Sequence, residues 1–403
     1  MTEPVGVWMV GALGGIGTTL VVGARAIARG LVSDGGVLTN RPEFAGLGLV
    51  PIKVLVFGGH EVRVSNFWES AKEIAKQSRS IDPGMVDALK DDLLDVSEAL
   101  KPGTCVNAGP AIESIVTNPV TAHDDGLRSI VQRIQSDIRA FRARESIERI
   151  VVVNLASTEP DLRPEDLPAD PDSMEALLDS SASARMRPSM LYAYAAFREG
   201  CAYINFTPST AALCPALTGI GNAAGVPFMG NDGKTGETLV KSALAPMFKY
   251  RDLKVLSWVG YNLLGDRDGH VLAHADNLAT KVRSKDSVLA SILGYPVHTR
   301  VGIDFVESLH DLKTAWDFIH FQGFLDHKMT MQFTWQGCDA ILAAPLVLDM
   351  VRLAELAMRR GEAGAMGHLA PYFKSPIGVQ AQDLHAQFHA MMDYLRRSGV
   401  ALP

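Results

Sequence analysis

At 403 residues, 47% hydrophobic and 21% charged, the chain is long enough for two or three domains with a buried core and too apolar to be disordered throughout. Its formal net charge of -7 argues against a general nucleic-acid binder, while leaving room for a local basic pocket that takes an anionic substrate. Cys105, Cys201, Cys214 and Cys338 are scattered, with no CxxC pair and no recognisable secretory signal, which points to free thiols in a reducing cytoplasm.

In chain order, Val5 to Val10 reads as a strand, Gly11 to Gly17 as a tight turn and Thr18 to Ala28 as a helix. The uncharged run from Val5 to Ala24 nearly reaches a membrane-spanning length, but its six glycines and the missing basic leader favour strand, turn and helix start. A second strand is expected over Lys53 to Phe57, ending at Gly58-Gly59, after a long loop around Arg41 to Phe44. Helices are expected over Asn66 to Gln77 and Pro83 to Leu100, and helical spacing runs from Val120 to Arg149. Ile150 to Leu155 is a buried parallel strand by composition. Glu159 to Ser183, rich in Pro, Asp and Ser, reads as an exposed loop with a short helix. Tyr192 to Glu199 is helical, Ala202 to Phe206 is the next strand, and the polar glycine loop Gly230 to Gly236 opens a helix through Leu239 to Phe248.

From Lys254 to about Gln336 the pattern changes to strands with polar connections, at Lys254 to Val259, Pro296 to Val306 and Met329 to Trp335. A long helix over Ala340 to Arg360 and a loop at Pro371 to Pro376 follow. Alternating strands and helices predict an α/β fold: a Rossmann-like doubly wound parallel sheet over residues 1–238 plus 340–403, with an inserted α+β domain over 239–339.

Gly11, Gly14, Gly15 and Gly17 sit between a predicted strand and a predicted helix, with Ile16 among them and Thr18 and Thr19 after them. Glycine lets the backbone approach a pyrophosphate, and the helix N-terminus adds free N–H groups and a positive dipole. The spacing is GxxGGxG rather than GxGxxG, so alone it is moderately specific. Glu61, just past the second strand, is placed to accept hydrogen bonds from an adenosine ribose and to repel a 2′-phosphate, which favours NAD over NADP. His60 reads as a packing residue. Asn154, Ser157 and Thr158 lie at the end of the strand Ile150 to Leu155, where an open parallel sheet places ligand contacts; Asn205, Pro208, Ser209 and Thr210 do the same one strand later.

With these blocks in view, the sequence resembles the myo-inositol-1-phosphate (inositol-3-phosphate) synthase family. Gly11 to Thr19 is similar to the family's GLGGNNGTT and Phe57 to Glu61 to its FGGWD. Gly230 to Thr238, GNDGKTGET, looks like GDDxKSGQT, and is likewise followed by a Lys-Ser pair, Lys241-Ser242. Tyr261 to Gly269, YNLLGDRDG, is similar to YNHLGNNDG. Further blocks surround Arg283 to Lys285, Asp311 to Lys313, Asp339 to Asp349 and Phe373 to Pro376.

The resemblance implies a cyclase that converts glucose 6-phosphate to inositol phosphate with tightly bound NAD. The C5 hydroxyl is oxidised, the neighbouring C6 gives an enolate that attacks the C1 aldehyde, and the C5 ketone is then reduced. Such a site must hold a phosphate, stabilise two oxyanions and move protons, and lysines suit all three jobs. By resemblance, Lys285 and Lys374 handle the C5 oxygen, Lys313 the aldehyde oxygen, and Asp232 and Asp339 organise cofactor, substrate and lysines. Lys234, Thr235, Gly236, Glu237, Asn262, Leu264, Asp266 and Arg267 fall in the phosphate and substrate blocks. A homotetramer assembled through the inserted sheet completes what the family implies, and no residue is assigned to a metal.

The departures from the family pattern bear on the phosphate site. Leu289 stands where the family has a second lysine, four residues after Lys285; Glu237 replaces a glutamine, and Asp266 and Arg267 replace asparagines. Two acids gained and a lysine lost weaken attraction for a dianion. A ketose such as fructose 6-phosphate, closing to a five-membered ring, is the alternative substrate this suggests. An ordinary NAD-dependent dehydrogenase and an inactive NAD-binding homologue also stay open at this point.

Overall fold

The structure, a computed structural model, describes residues 3–121, 126–180, 184–265 and 288–397. Asp266, Arg267 and Lys285 therefore lie outside the described residues.

The first half of the chain runs β1 (Val5–Val10), α1 (Gly15–Ala28), β2 (Leu55–Glu61), α2 (Phe67–Gln77), α3 (Pro83–Ala88), α4 (Lys90–Ser97), β3 (Leu100–Pro102), α5 (Pro110–Glu113), α6 (Leu127–Arg144) and β4 (Arg149–Asn154). It continues through α7 (Pro171–Leu178), α8 (Pro188–Arg198), β5 (Ala202–Asn205), α9 (Pro215–Ala224) and β6 (Pro227–Met229). These strands, with β11 (Gly364–Ala365), form a seven-stranded sheet of order β11-β6-β5-β4-β1-β2-β3. Every neighbouring pair is parallel. The strand order reverses beside β1, which makes the sheet doubly wound and sets a ligand crevice at the carboxyl ends of β1 and β4.

Both faces of this sheet are covered, and β1 shows how. Val5, Val7 and Met9 enter one apolar core with residues of α1, α2 and the long helix α11 (Asp339–Arg359). Trp8 and Val10 enter the opposite core with α6, α8 and α9. The uncharged run from Val5 to Ala24 is thus strand, turn and helix, and no helix among the described residues is long and apolar enough to cross a membrane.

After β6 come α10 (Gly236–Tyr250), β7 (Lys254–Leu264), β8 (His298–Phe305), β9 (Leu312–Gln322) and β10 (Lys328–Cys338). They build a four-stranded sheet of order β10-β9-β7-β8, antiparallel except for the β7–β8 pair. Val255, Trp258 and Ile319 pack with Ala245 and Phe248 of α10 on one face. On the other face Tyr261, Trp316 and Phe318 form an aromatic row, with ring centroids 6.4 and 6.3 Å apart. The chain closes with α11, β11 and α12 (Leu384–Arg397).

The structure corrects several expectations. Strand β2 does not stop at Phe57 but runs through both glycines to Glu61. A Cβ on Gly58 would stand 2.9 Å from the Trp8 ring, so this glycine makes room for packing rather than for a turn. The single helix expected over Pro83 to Leu100 is two helices and a short strand, and helical spacing before Arg149 gives way to β4 at that residue. Strand β9 has no clear signal in the sequence pattern, because Asp317 sits in its middle; that carboxylate is buried and accepts a hydrogen bond from Trp258 Nε1 at 2.7 Å. Helices α9 and α12 likewise add to the elements expected from sequence.

Candidate functional site

The carboxyl ends of β1, β2 and β4 open into a cavity of about 540 Å³, which the inserted sheet and the C-terminal segment also line. The backbone N–H groups of Gly11 and Ala12 donate to His60 O at 3.0 and 3.2 Å, which fixes the glycine turn against β2. Helix α1 then starts at Gly15, with Gly14 as N-cap and no side-chain cap. Its first-turn N–H groups are left for a ligand, and Gly11, Gly14, Gly15 and Ile16 line the cavity. An uncapped helix start reached over glycines fits a dinucleotide pyrophosphate. Gly17 and Thr18 do not line the cavity. A Cβ on Gly17 would stand 2.3 Å from Ala12 O, so that position seats the helix on the turn, while Thr18 is buried with its hydroxyl unpaired among the described residues.

Glu61 ends β2 and lines the same cavity, but its carboxylate is already engaged. Oε2 accepts from Leu13 N at 2.8 Å, and Oε1 accepts from Val62 N, Arg63 N and Arg63 Nε at 3.0, 3.2 and 3.1 Å. His60, the residue before it, accepts from Trp8 Nε1 at Nδ1 and donates through Nε2 to Asp137. Burial lowers its pKa, and this hydrogen-bonding pattern suits the neutral ring.

The loop after β6 is knitted to the segment after α11. Asn231 N donates to Ser375 O at 2.8 Å, Lys234 N to Tyr372 O at 2.8 Å, and Lys374 N to Asp232 O at 2.7 Å. This pairing brings Lys374 Nζ to 2.9 Å from Asp232 Oδ1, with both side chains nearly buried. Across the cavity Lys313 Nζ lies 3.1 Å from Asp339 Oδ2, at the start of α11. Lys313 also reaches the N-terminus of α10, since a Cβ on Gly236 would stand 3.2 Å from its Nζ. Thr235 caps α10 without a side-chain bond and lines the cavity with Glu237, Thr238 and Leu264. Thr238 Oγ1 is buried without a partner among the described residues. An uncapped helix start, an orphaned hydroxyl and a lysine together suit a phosphate.

Lys234 departs from its expected place in the phosphate site. Its side chain turns away from the cavity, and Nζ donates to Gln387 Oε1 of α12 at 2.5 Å. Burial, then the nearby Lys374 charge, lowers its pKa to about 8. Glu237 also differs from the expectation that it subtracts charge from that site. It lies 2.6 Å from Lys241 one turn along α10, both 1% exposed, so the added acid is compensated internally. Asn262 does not line the cavity; its Nδ2 donates to Glu237 Oε2 at 2.7 Å. Leu289, where the family carries a lysine, is fully buried in the apolar cluster with Ala245, Phe248 and Trp258.

Ser157 and Thr158 line the cavity after β4, whereas Asn154 stays inside the strand ends. Asn154 Nδ2 donates to Asn205 Oδ1 at 3.1 Å, and Asn205 Nδ2 donates in turn to Asn231 Oδ1 at 2.7 Å. This ties β4 and β5 to the loop that carries Asp232. Residues outside the motif blocks also face the cavity, among them Arg63, Thr104, Glu159, Tyr192 and His310. Glu159 accepts from Ser189 N at 2.8 Å and Ser189 Oγ at 2.5 Å, and burial raises its pKa to about 7. Its adjacency to Ser157-Thr158 is the one sequence signal that points to it.

Comparison with known proteins bears on the family and the fold. An NAD-binding family model described as myo-inositol-1-phosphate synthase matches residues 5–396. An inositol-3-phosphate synthase from Bacteroides thetaiotaomicron is 33% identical over 98% of this chain and 95% of its own length. One from Trypanosoma brucei brucei is 28% identical over 88% of this chain and 72% of its own length. Among solved structures, an inositol-3-phosphate synthase from Caenorhabditis elegans shares the fold with a TM-score of 0.85 at 24% identity, covering 100% of this chain and 87% of that one.

Proposed function

The chain belongs to the myo-inositol-1-phosphate synthase family, and from that premise we propose that it is an NAD-dependent cyclase that converts glucose 6-phosphate to myo-inositol phosphate. The observation that carries the proposal is the meeting of two lysine–aspartate pairs, Lys374–Asp232 and Lys313–Asp339, in one cavity with an uncapped glycine turn.

Bound NAD supplies the oxidant for C5 at the outset and the reductant for the same carbon at the end. The residues present divide the remaining work. The glycine turn and the start of α1 hold the pyrophosphate. The start of α10, with Thr235, Thr238 and the Lys313 charge, holds the sugar phosphate. Lys374, fixed by Asp232, steadies the C5 oxygen as it loses and regains charge; Lys285 shares that role by resemblance. Lys313, fixed by Asp339, donates to the aldehyde oxygen at C1 when the C6 enolate attacks it. In a largely buried site such preorganised charges act more strongly than in water. Because oxidation and reduction cancel, product should form without growth of the reduced-nicotinamide absorbance. Stoichiometric growth of that band would favour a plain dehydrogenase.

The open face of the four-stranded sheet supports a homotetramer in this reading. Tyr261, Trp316 and Phe318 lie in a row there, and Trp316 is 37% exposed. A monomer in light scattering would remove it. Four free cysteines, of which Cys201 is pushed up to about 12 by burial, suit the proposed cytoplasmic setting.

A further inference from the structure

An acid at the end of β2 is expected to take the adenosine ribose hydroxyls and to reject a 2′-phosphate. This chain places a cation on that acid. Arg63 is two residues past Glu61, and its side chain turns back so that Nε lies 3.1 Å from Glu61 Oε1 and Nη2 lies 3.4 Å from Oε2. The same Nη2 donates to Leu13 O of the glycine turn at 2.7 Å. Glu61 also receives the backbone N–H groups of Leu13, Val62 and Arg63, so five donors converge on its two oxygens. A carboxylate offers about four lone-pair sites, so its capacity to accept ribose hydroxyls is filled before a nucleotide arrives. Arg63 keeps Nη1 without a partner among the described residues, its side chain is 15% exposed, and it lines the cavity beside Glu61.

We propose that Arg63 sets the dinucleotide specificity of this chain: by neutralising Glu61 and offering a free guanidinium edge at the adenosine 2′ position, it lets the site accept NADP with an affinity close to that for NAD. The repulsion that an acid exerts on a 2′-phosphate depends on its net charge, and the pair Glu61–Arg63 has none. Guanidinium is also the side chain whose planar donors match phosphate oxygens, which is how an arginine at this place accommodates the 2′-phosphate in NADP-binding folds of this type. The inference rests on the proposal that this cavity binds a dinucleotide through the glycine turn, and it alters the expectation drawn from Glu61 alone.

The test is calorimetric titration of the full chain, freed of bound nucleotide, with NAD, NADP, and the half-ligands 5′-ADP and 2′,5′-ADP. The half-ligands report on the ribose alone, without the sugar-phosphate end of the site. Wild-type dissociation constants for NAD and NADP should lie within about tenfold of each other, with 2′,5′-ADP binding at least as tightly as 5′-ADP. Arg63→Ala should weaken NADP relative to NAD by roughly 10- to 100-fold, the worth of a lost charged hydrogen bond. Glu61→Gln should shift the ratio the other way, and it keeps the inference testable if Arg63→Ala does not fold. A wild-type preference for NAD above a hundredfold, or an unchanged ratio in Arg63→Ala, overturns the role of Arg63 while leaving the cyclase proposal intact. Binding of neither dinucleotide overturns both.

Discussion

Lys374 and Asp232, 142 residues apart in sequence, are joined twice: Lys374 Nζ donates to Asp232 Oδ1 at 2.9 Å, and Lys374 N donates to Asp232 O at 2.7 Å. The backbone bond fixes where both residues leave the chain, and the side-chain bond fixes where the ammonium ends. Asp232 adopts φ +63°, a left-handed conformation that aspartate tolerates better than most residues, and this turns its carboxylate back toward Lys374.

The first prediction follows from that double link. Lys374→Met and Lys313→Met keep length and packing while deleting charge, and each should lower turnover by about 10²–10³-fold. Dinucleotide affinity should stay within a few-fold. Because Asp232 acts through Lys374, adding Asp232→Asn to Lys374→Met should cost little more than Lys374→Met alone. Near-wild-type rates in both methionine variants would remove the lysines from the site.

Two glycines of the same turn should answer differently to the same change. Gly14 faces the cavity, and its Cβ would come no nearer than 3.2 Å to Gly11 O. Gly14→Leu should therefore weaken dinucleotide binding by about tenfold or more, by filling the approach to the pyrophosphate, with a smaller loss of melting temperature than the same change at Gly17. Gly17→Leu would force a carbon to within 2.3 Å of Ala12 O and should lower the melting temperature by several degrees before any binding is measured. Equal effects of both on stability would contradict the assignment of one glycine to the ligand and the other to packing.

Much of the large sheet is legible in the sequence, because its parallel strands are short apolar runs separated by glycine turns and amphipathic helices. Strand β2 reads short because Gly58-Gly59 imitates a turn, when Gly58 in fact admits the Trp8 ring. Strand β9 escapes because the polarity of Asp317 breaks its alternation, and only the fold shows Trp258 satisfying that carboxylate. The glycine turn, Lys313, Lys374, Asp232 and Asp339 can be located from motif blocks. The direction of a side chain cannot. Lys234 carries the same motif credentials as its neighbours, yet it points at Gln387, on a helix far along the chain. Likewise Glu237 reads as a loss of positive field until its distance to Lys241 shows the charge compensated.

That buried pair gives a stability prediction. Lys241→Met takes the ammonium away from the Glu237 carboxylate at 1% exposure, and breaking a buried pair in this way costs about 3–5 kcal/mol. Glu237→Gln combined with Lys241→Met removes both charges and should recover most of the loss. Urea unfolding of wild type, single and double variant decides this, and a single variant as stable as the wild type would show that the pair carries no weight.

Glu159 gives a prediction in pH. Its folded pKa is raised by burial to about 7 from an ordinary 4.5, so its contribution to stability is full below pH 4.5 and is lost as pH rises through 7. Wild type should therefore lose stability relative to Glu159→Gln between those limits, by on the order of 2–3 kcal/mol, and the difference should level off above pH 7. Urea midpoints for both proteins at pH 5 and pH 8 measure it. A difference that does not change with pH would mean that the carboxyl is ionised throughout.

The most direct test of the account is phosphorus and carbon NMR of the products formed when the full chain is incubated with NAD and a panel of hexose 6-phosphates. The proposed synthase activity predicts a six-membered cyclitol phosphate from glucose 6-phosphate, formed without accumulated NADH. A five-membered cyclitol phosphate from fructose 6-phosphate, an oxidised sugar phosphate formed with stoichiometric NADH, or unchanged substrate throughout the panel with NAD bound would each contradict it.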